Sequence, residues 1–276
     1  MQKRILTIQD ASCVGQCSLT VALPVLSACG VEASVLPSAL LSTHTSGFTG
    51  FTVLDLSDEF PKIIEHWKKE GITFDGVYTG YILEKQMGYI DTICRELNRG
   101  PKIIDPVMAD HGSFYYGFDE KFAAKMADLC RGADVILPNL TEAAFLLGEE
   151  CRLSGYDREY IEGLCRRLKD TLDVGCVILT GVSFADDELG VCVFENGTFH
   201  YYFSEKIARN FHGTGDIYSS TFVGAYMRGK SAFDAAKIAV DYTVQAIKLT
   251  VDHADIHPYG VFFESAVPYL VELLNE

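Results

Sequence analysis

The segment Gly213-Thr214-Gly215-Asp216, followed by a run of small and apolar residues to Gly224, carries the most specific chemistry in this sequence. Two glycines around a threonine let successive backbone N–H groups converge on one point, and a helix starting there adds the positive end of its dipole. Such a nest holds an anion. A carboxylate in the same place competes with a bound phosphate, unless it takes the proton of a hydroxyl nucleophile as a phosphoryl group arrives. The alternative is a glycine-rich loop in which Asp216 only caps the helix.

Three other places bring polar side chains to the ends of apolar runs: Asp105 before Pro106, Asn139 with Glu142, and Thr180 with Gly181. In open α/β sheets the ligand crevice lies beyond the carboxyl ends of the strands, where the next helix N-termini aim free N–H groups at a ligand. Asp105 and Glu142 suit Mg²⁺, held through water because the ion sheds its hydration shell reluctantly. Asn139 can meet an anion without adding repulsion, and Thr180 and Gly181 would lie close to the same ligand. Alone, Asp105 could be a turn former and Glu142 a helix-dipole partner. Together, upstream of an anion nest, they favour one shared site. No Walker lysine loop is present.

The elements that must position these residues follow a βα grammar, the pattern of a mostly parallel sheet. Strands are expected at 4–9, 32–37, 74–79, 102–105, 134–137 and 176–180. Helices are expected at 19–28, from Ser57 to Gly71, and at 84–99, 120–130, 141–147 and 158–172. Ser38 to Gly50 reads as a long polar loop. Phe60, Ile63, Ile64 and Trp67 make one apolar helical stripe. Asn196-Gly197 between two alternating runs signals a type I′ hairpin and an antiparallel edge. Beyond the nest come a helix to Met227, a helix capped by Ser231, and an amphipathic stretch from Tyr259 to Leu274. The fold class is α/β, three-layered, with helices flanking the sheet.

At roughly 150 residues per domain, 276 residues allow one large domain or two smaller ones. No linker, repeat or low-complexity tract divides the chain, so one domain over 1–276 is expected. Lys and Arg number 23 against 38 Asp and Glu, a formal charge of −15, which argues against nucleic-acid backbones and acidic membrane surfaces as partners. Nine scattered cysteines without a CxxC pair read as reduced thiols in a cytoplasmic protein, and Cys13 and Cys17 lack the His or Cys partners of a zinc site. The apolar run at 5–8 is too short for a signal peptide, and no transmembrane span is expected.

Segment 213–216 matches the G-[AT]-G-D signature of the ribokinase superfamily, in which the loop is an anion hole and its Asp the catalytic base. Ile8-Gln9-Asp10, Ser42-Thr43-His44-Thr45, Asp105-Pro106-Val107-Met108 and Pro138-Asn139-Leu140-Thr141-Glu142 resemble pyridoxal kinases, particularly the pyridoxamine kinase branch. Asp-Pro-Val-Met and Asn-x-x-Glu are shared across vitamin kinases, so the early segments carry the substrate inference. One departure is Asp10, where the family commonly has Ser; a carboxylate there can pair with a protonated ring nitrogen or an amine, or favour another heterocycle. Ser12 is the nearby candidate for the missing hydroxyl.

The resemblance implies ATP-dependent phosphorylation of the 5′-hydroxyl of pyridoxal, pyridoxine or pyridoxamine, the chemistry of vitamin B6 salvage. Asp216 would be the base in a nest of Gly213, Thr214 and Gly215. Substrate contacts would come from Asp10, Ser12, His44, Thr45, Tyr81 and Asp216. Nucleotide contacts would come from Asn139, Glu142, Thr180, Gly181, Gly213 and Gly215, and Mg²⁺ would be held by Asp105 and Glu142. A monovalent cation such as K⁺ is a further candidate cofactor, and a homodimer through the segment 48–56 is implied. His44 and Tyr81 have the alternative of plain loop contacts. His212 lies beside the nest without a required role, and segment 110–117 reads as a flap over the site. The alternatives are a hydroxymethylpyrimidine or other small-alcohol kinase and, from another class, a nucleotide- or vitamer-binding sensor. A sensor needs no base, so the intact 213–216 segment and Glu142 argue against it.

Overall fold

The structure is a computed structural model, and it describes residues 2–45, 47–209, 211–253 and 259–276. The chain opens with β1 (Arg4–Ser12), α1 (Leu19–Ala28) and β2 (Glu32–Leu41). A short strand β3 (Val53–Asp55) returns antiparallel to β2. Next come α2 (Phe60–Lys69), β4 (Gly76–Thr79), α3 (Met87–Glu96) and β5 (Lys102–Ile104). A separate small hairpin, β6 (Ala109–Asp110) and β7 (Ser113–Phe114), precedes α4 (Glu120–Cys130), β8 (Val135–Ile136), α5 (Leu140–Leu146) and α6 (Arg158–Leu172). The chain continues through β9 (Cys176–Val182), β10 (Glu188–Glu195), β11 (Thr198–Glu205), α7 (Thr214–Met227), α8 (Ala232–Val251) and α9 (Phe263–Asn275).

Nine strands form one sheet in the order β11-β10-β9-β8-β5-β4-β1-β2-β3. The six central strands from β9 to β2 pair in parallel, and both edges are antiparallel. Alternation along each strand feeds two cores. Leu6, Ile8 and Ile104 pack with α2, α3, α4 and α6 on one face; Ile5, Tyr78 and Ile103 pack with α1, α7, α8 and α9 on the other. Each such fully buried apolar side chain contributes about 1.5–3 kcal/mol over its exposed state, which fixes the register of the strands that carry the site.

Caps follow the sequence. Asp119, Asp157 and Ser231 accept the third-residue amides of α4, α6 and α8, and Asn196 and Gly197 both adopt the positive φ of a type I′ turn. Three expectations are corrected. The polar loop starts only after Leu41, because Ala39 and Leu41 are buried and Ser38 donates its hydroxyl to the Tyr81 carbonyl at 2.7 Å, extending β2. Ser57 does not cap α2: its amide and hydroxyl both turn back to Asp55 Oδ1, so a 3₁₀ turn at Ser57–Glu59 comes first. Helix 84–99 shortens to α3, with a 3₁₀ turn at Glu84–Gln86 before it.

Candidate active site

Strands β1, β4, β5, β8 and β9 are neighbours in the sheet and parallel, so their carboxyl ends share one edge. The start of α7 lies there. Gly213 is its N-terminal flanking residue, with φ +78°, and a Cβ on it would stand 1.9 Å from the Gln16 carbonyl oxygen. Only glycine fits this approach. The first-turn amides of α7, at Thr214, Gly215 and Asp216, lack helical partners and are aligned with the positive end of the dipole. Thr214 Oγ1 donates to the Phe211 carbonyl at 3.3 Å, tying the loop to the helix.

Asp216 sits in the first turn of α7, and burial pushes its carboxyl up to about 7, reinforced by the charge of Asp10. The Ser18 amide and the Cys17 thiol approach it and act in the opposite direction. A carboxyl poised there can exchange a proton near neutral pH.

The second carboxylate group is Asp105 with Glu142. Asp105 is 7 % exposed and Ser219, one helical turn past Asp216, donates to its Oδ2 at 2.6 Å. Glu142 closes a capping box on α5: Asn139 Oδ1 accepts the Glu142 amide at 2.9 Å, and Glu142 Oε2 accepts the Asn139 amide at 3.0 Å. Its other oxygen accepts the Met108 amide at 3.1 Å. Burial raises the pKa of both carboxyls; the charge of Asp216 adds to the rise at Asp105, and that of Asp105 to the rise at Glu142. Two buried carboxyls that make no ion pair with Lys, Arg or His among the described residues fit a hydrated Mg²⁺. Among the described residues no three His, Cys, Asp or Glu side chains form a cage, so the ion would be held through water and ligand oxygens.

The third group surrounds Asp10, 4 % exposed, where two β2 residues, Ser38 and Ala39, stand opposite it. Ser12 donates to Asp10 Oδ2 at 2.9 Å. Burial raises the pKa of Asp10, against the effect of the Ser18 and Ser12 hydroxyls and of His44. His44 Nε2 donates to the Tyr259 carbonyl at 3.0 Å, and its Nδ1 is buried with no hydrogen-bond partner among the described residues. Its ring packs edge-on to Phe48 at 4.9 Å and near His212 at 5.5 Å. Tyr81 packs on Phe118 at 5.4 Å, with burial and the charge of Asp10 raising its pKa. Thr45, beside His44, is partly buried.

Thr180 forms an isolated bridge with Asn139, its amide donating to the Pro138 carbonyl at 3.0 Å, and Gly181 follows with φ +76° and open space around it. The 110–117 segment carries the turn of the β6–β7 hairpin at His111–Gly112, and Tyr116, past β7, is exposed. It is fastened at its base and at its turn. Asn139 Nδ2 donates to the Ala109 carbonyl at 2.8 Å, and the Gly112 amide donates to Thr141 Oγ1 at 3.0 Å.

The sequence reading missed Ser219, Tyr78 and Cys17. Tyr78 is fully buried on β4, its hydroxyl approached by the side chains of Ser220 and Gln9 and lying in the field of both Asp105 and Asp216. The Cys17 thiol stands 3.5 Å from where a Gly213 Cβ would lie. Ser219 was legible: it lies three residues after Asp216 on a helix, hence on a neighbouring face.

Residues 21–258 match the family model for phosphomethylpyrimidine kinase. A Bacteroides thetaiotaomicron protein carrying that name provisionally, crystallised with pyridoxal, is 33 % identical, with a TM-score of 0.92 over 98 % of this chain and 96 % of that one. The pyridoxal kinase of Lactobacillus plantarum is 29 % identical, with a TM-score of 0.91 over 99 % and 98 % of the two chains. The thiamine biosynthetic bifunctional enzyme TH1 of Arabidopsis thaliana is 24 % identical over 90 % of this chain, which spans 47 % of that enzyme's length. The family model matched over residues 21–258, on a ribokinase-like fold shared with these neighbours over most of its length, places this chain in the phosphomethylpyrimidine kinase family, among the kinases of small vitamin substrates.

Proposed function

We propose that this chain transfers the γ-phosphoryl group of ATP to the primary hydroxyl of a small heterocyclic alcohol, and that the alcohol is a B6 vitamer phosphorylated at its 5′-hydroxyl. The observation that carries this reading is Asp216 in the first turn of α7, its carboxyl raised to about 7 by burial, beside the unpaired amides of Thr214 and Gly215. Its carboxylate takes the proton of the attacking hydroxyl. The amides of Thr214, Gly215 and Asp216 stabilise the charge on the transferring phosphoryl group, an arrangement preorganised before substrate arrives.

Asp105 and Glu142 would hold Mg²⁺ through water, and the ion would neutralise charge on the triphosphate. Ser219 fixes the direction of Asp105, and the capping box fixes Glu142. Thr180, Gly181 and Asn139 border the nucleotide. The Asp10 carboxylate, with the unpartnered Nδ1 of His44 as a second polar group of the pocket, suits a ring carrying an N–H donor or an amine. Leu40, Val53 and Leu54 are exposed along the β2–β3 edge, the apolar surface that a second copy would cover in a homodimer.

Hydroxymethylpyrimidine is the second reading, favoured by the family match and by the acceptor character of Asp10, which serves an aminopyrimidine equally well. ADP release from MgATP with pyridoxal, pyridoxine, pyridoxamine and the pyrimidine alcohol in turn tests both. Turnover of a B6 vitamer is expected; turnover of the pyrimidine alcohol alone reverses the order. Binding without ADP release from any alcohol would mark a sensor.

A further inference from the structure

Ser18, immediately before α1, has φ 53° and ψ −127°. A side chain pays for that backbone conformation, and buried residues keep it only where their surroundings enforce it. Among the described residues, three other non-glycine positions have positive φ: His111, Asp173 and Asn196. All three are exposed at turns or at a helix end, whereas Ser18 is 6 % exposed.

The side chain adds a second anomaly. Serine is among the preferred helix N-caps, its hydroxyl normally accepting an amide of the first turn. Here it makes no such bond, although the Ser18 carbonyl starts the helix by accepting the Val21 and Ala22 amides at 3.0 and 2.8 Å. The hydroxyl is turned instead toward Asp10, and the Ser18 amide toward Asp216. One strained residue therefore addresses both carboxyls of the alcohol pocket, one on β1 and one on α7. Its neighbour Cys17 flanks Asp216, and Gln16 supplies the carbonyl against which Gly213 is packed.

We propose that Ser18 is a positioning residue that sets Asp216 against Asp10, its amide aiming the base and its hydroxyl aiming the pocket carboxylate. The inference rests on the kinase reading above. A loop shaped only by helix initiation would leave the hydroxyl on the α1 amides and the backbone in an ordinary region. The observed conformation forgoes the cap and accepts strain, and both departures point the polar groups of Ser18 at the reacting centre.

The test is steady-state kinetics and thermal melting of the full chain with two variants. Ser18→Ala keeps the amide and the Cβ but removes the hydroxyl. The KM for the alcohol should rise about tenfold, the scale of one hydrogen bond to a charged group, with the KM for ATP and the Tm unchanged. Ser18→Gly also relieves the strain, so the Tm should hold or rise, while kcat falls below that of Ser18→Ala as the amide loses its fixed aim. Wild-type kinetics in both variants overturns the proposal. So does an equal loss for alcohol and ATP that tracks a fall in Tm, which is the mark of a merely structural residue. Turnover in the unaltered protein with insensitive variants refutes the role of Ser18 alone; no turnover of any alcohol by the unaltered protein overturns the kinase reading with it.

Discussion

Replacing Asp216 by Asn separates catalysis from stability, because the same burial that tunes the base also strains the fold. The carboxyl moves from its ordinary 3.8 to about 7 in the folded chain. At 1.36 kcal/mol per pH unit that corresponds to at most about 4 kcal/mol, and partial exposure of the residue to solvent reduces it to about 2–4 kcal/mol. The folded state holds this proton more tightly than the unfolded one, so stability falls as pH rises from about 4 through about 7, and the full penalty is present above that. Asn removes the charge and keeps the shape. Relative to the unaltered chain, Asp216→Asn should therefore melt about 4–10 °C higher at pH 8, with the gain shrinking toward zero below pH 4. Its kcat should fall by about 10²–10⁴, with ATP affinity little changed. Melting curves from pH 4 to 8 beside turnover at pH 7.5 provide the readouts. A difference in Tm that does not vary with pH would refute the burial argument, and near-normal turnover would refute the base assignment.

Gly213→Ala should lower stability by roughly 1–3 kcal/mol and kcat at least about tenfold, because a Cβ there meets the Gln16 carbonyl at 1.9 Å and the nest must shift. Chemical denaturation and turnover check it, and unchanged values for both would show that the nest is not built on this approach. Ser219→Ala leaves Asp105 Oδ2 without its 2.6 Å donor; the Mg²⁺ needed for half-maximal rate should rise about threefold to tenfold while the alcohol KM holds, as a Mg²⁺ titration would show. Tyr78→Phe removes a fully buried hydroxyl that the side chains of Ser220 and Gln9 approach, so urea unfolding should show a loss of about 0.5–1.5 kcal/mol; a stability unchanged or raised would mean the hydroxyl makes no bond in solution.

Much of this architecture is legible from periodicity and caps. The helix at 158–172 and the Asn196-Gly197 hairpin fall where apolar spacing and turn chemistry put them, since both signals are local. The end of β2 and the start of α2 are not local. Ser38 and Ser57 look like loop and cap residues, but their hydroxyls are taken by Tyr81 and Asp55, partners that only the folded chain brings near. The same division runs through the site. Asp105, Asn139, Glu142, Thr180 and Asp216 come together because parallel strands end at one edge, a consequence of topology that the sequence grammar contains. Ser18, Cys17 and Tyr78 join them through the packing of α1 and α7 on the sheet and through an unusual backbone conformation, and composition carries no trace of either.

The central claim is that Asp216 and the nest at the start of α7 deliver a phosphoryl group to a primary hydroxyl. Mass spectrometry of the reaction of the whole chain with MgATP and the alcohol that releases most ADP tests it most directly. The account predicts one phosphoryl group added to the alcohol for each ADP formed, attached at the hydroxymethyl oxygen, and loss of that product in Asp216→Asn. ADP accumulating with free phosphate and an unmodified alcohol, or product formed equally by the variant, would contradict it.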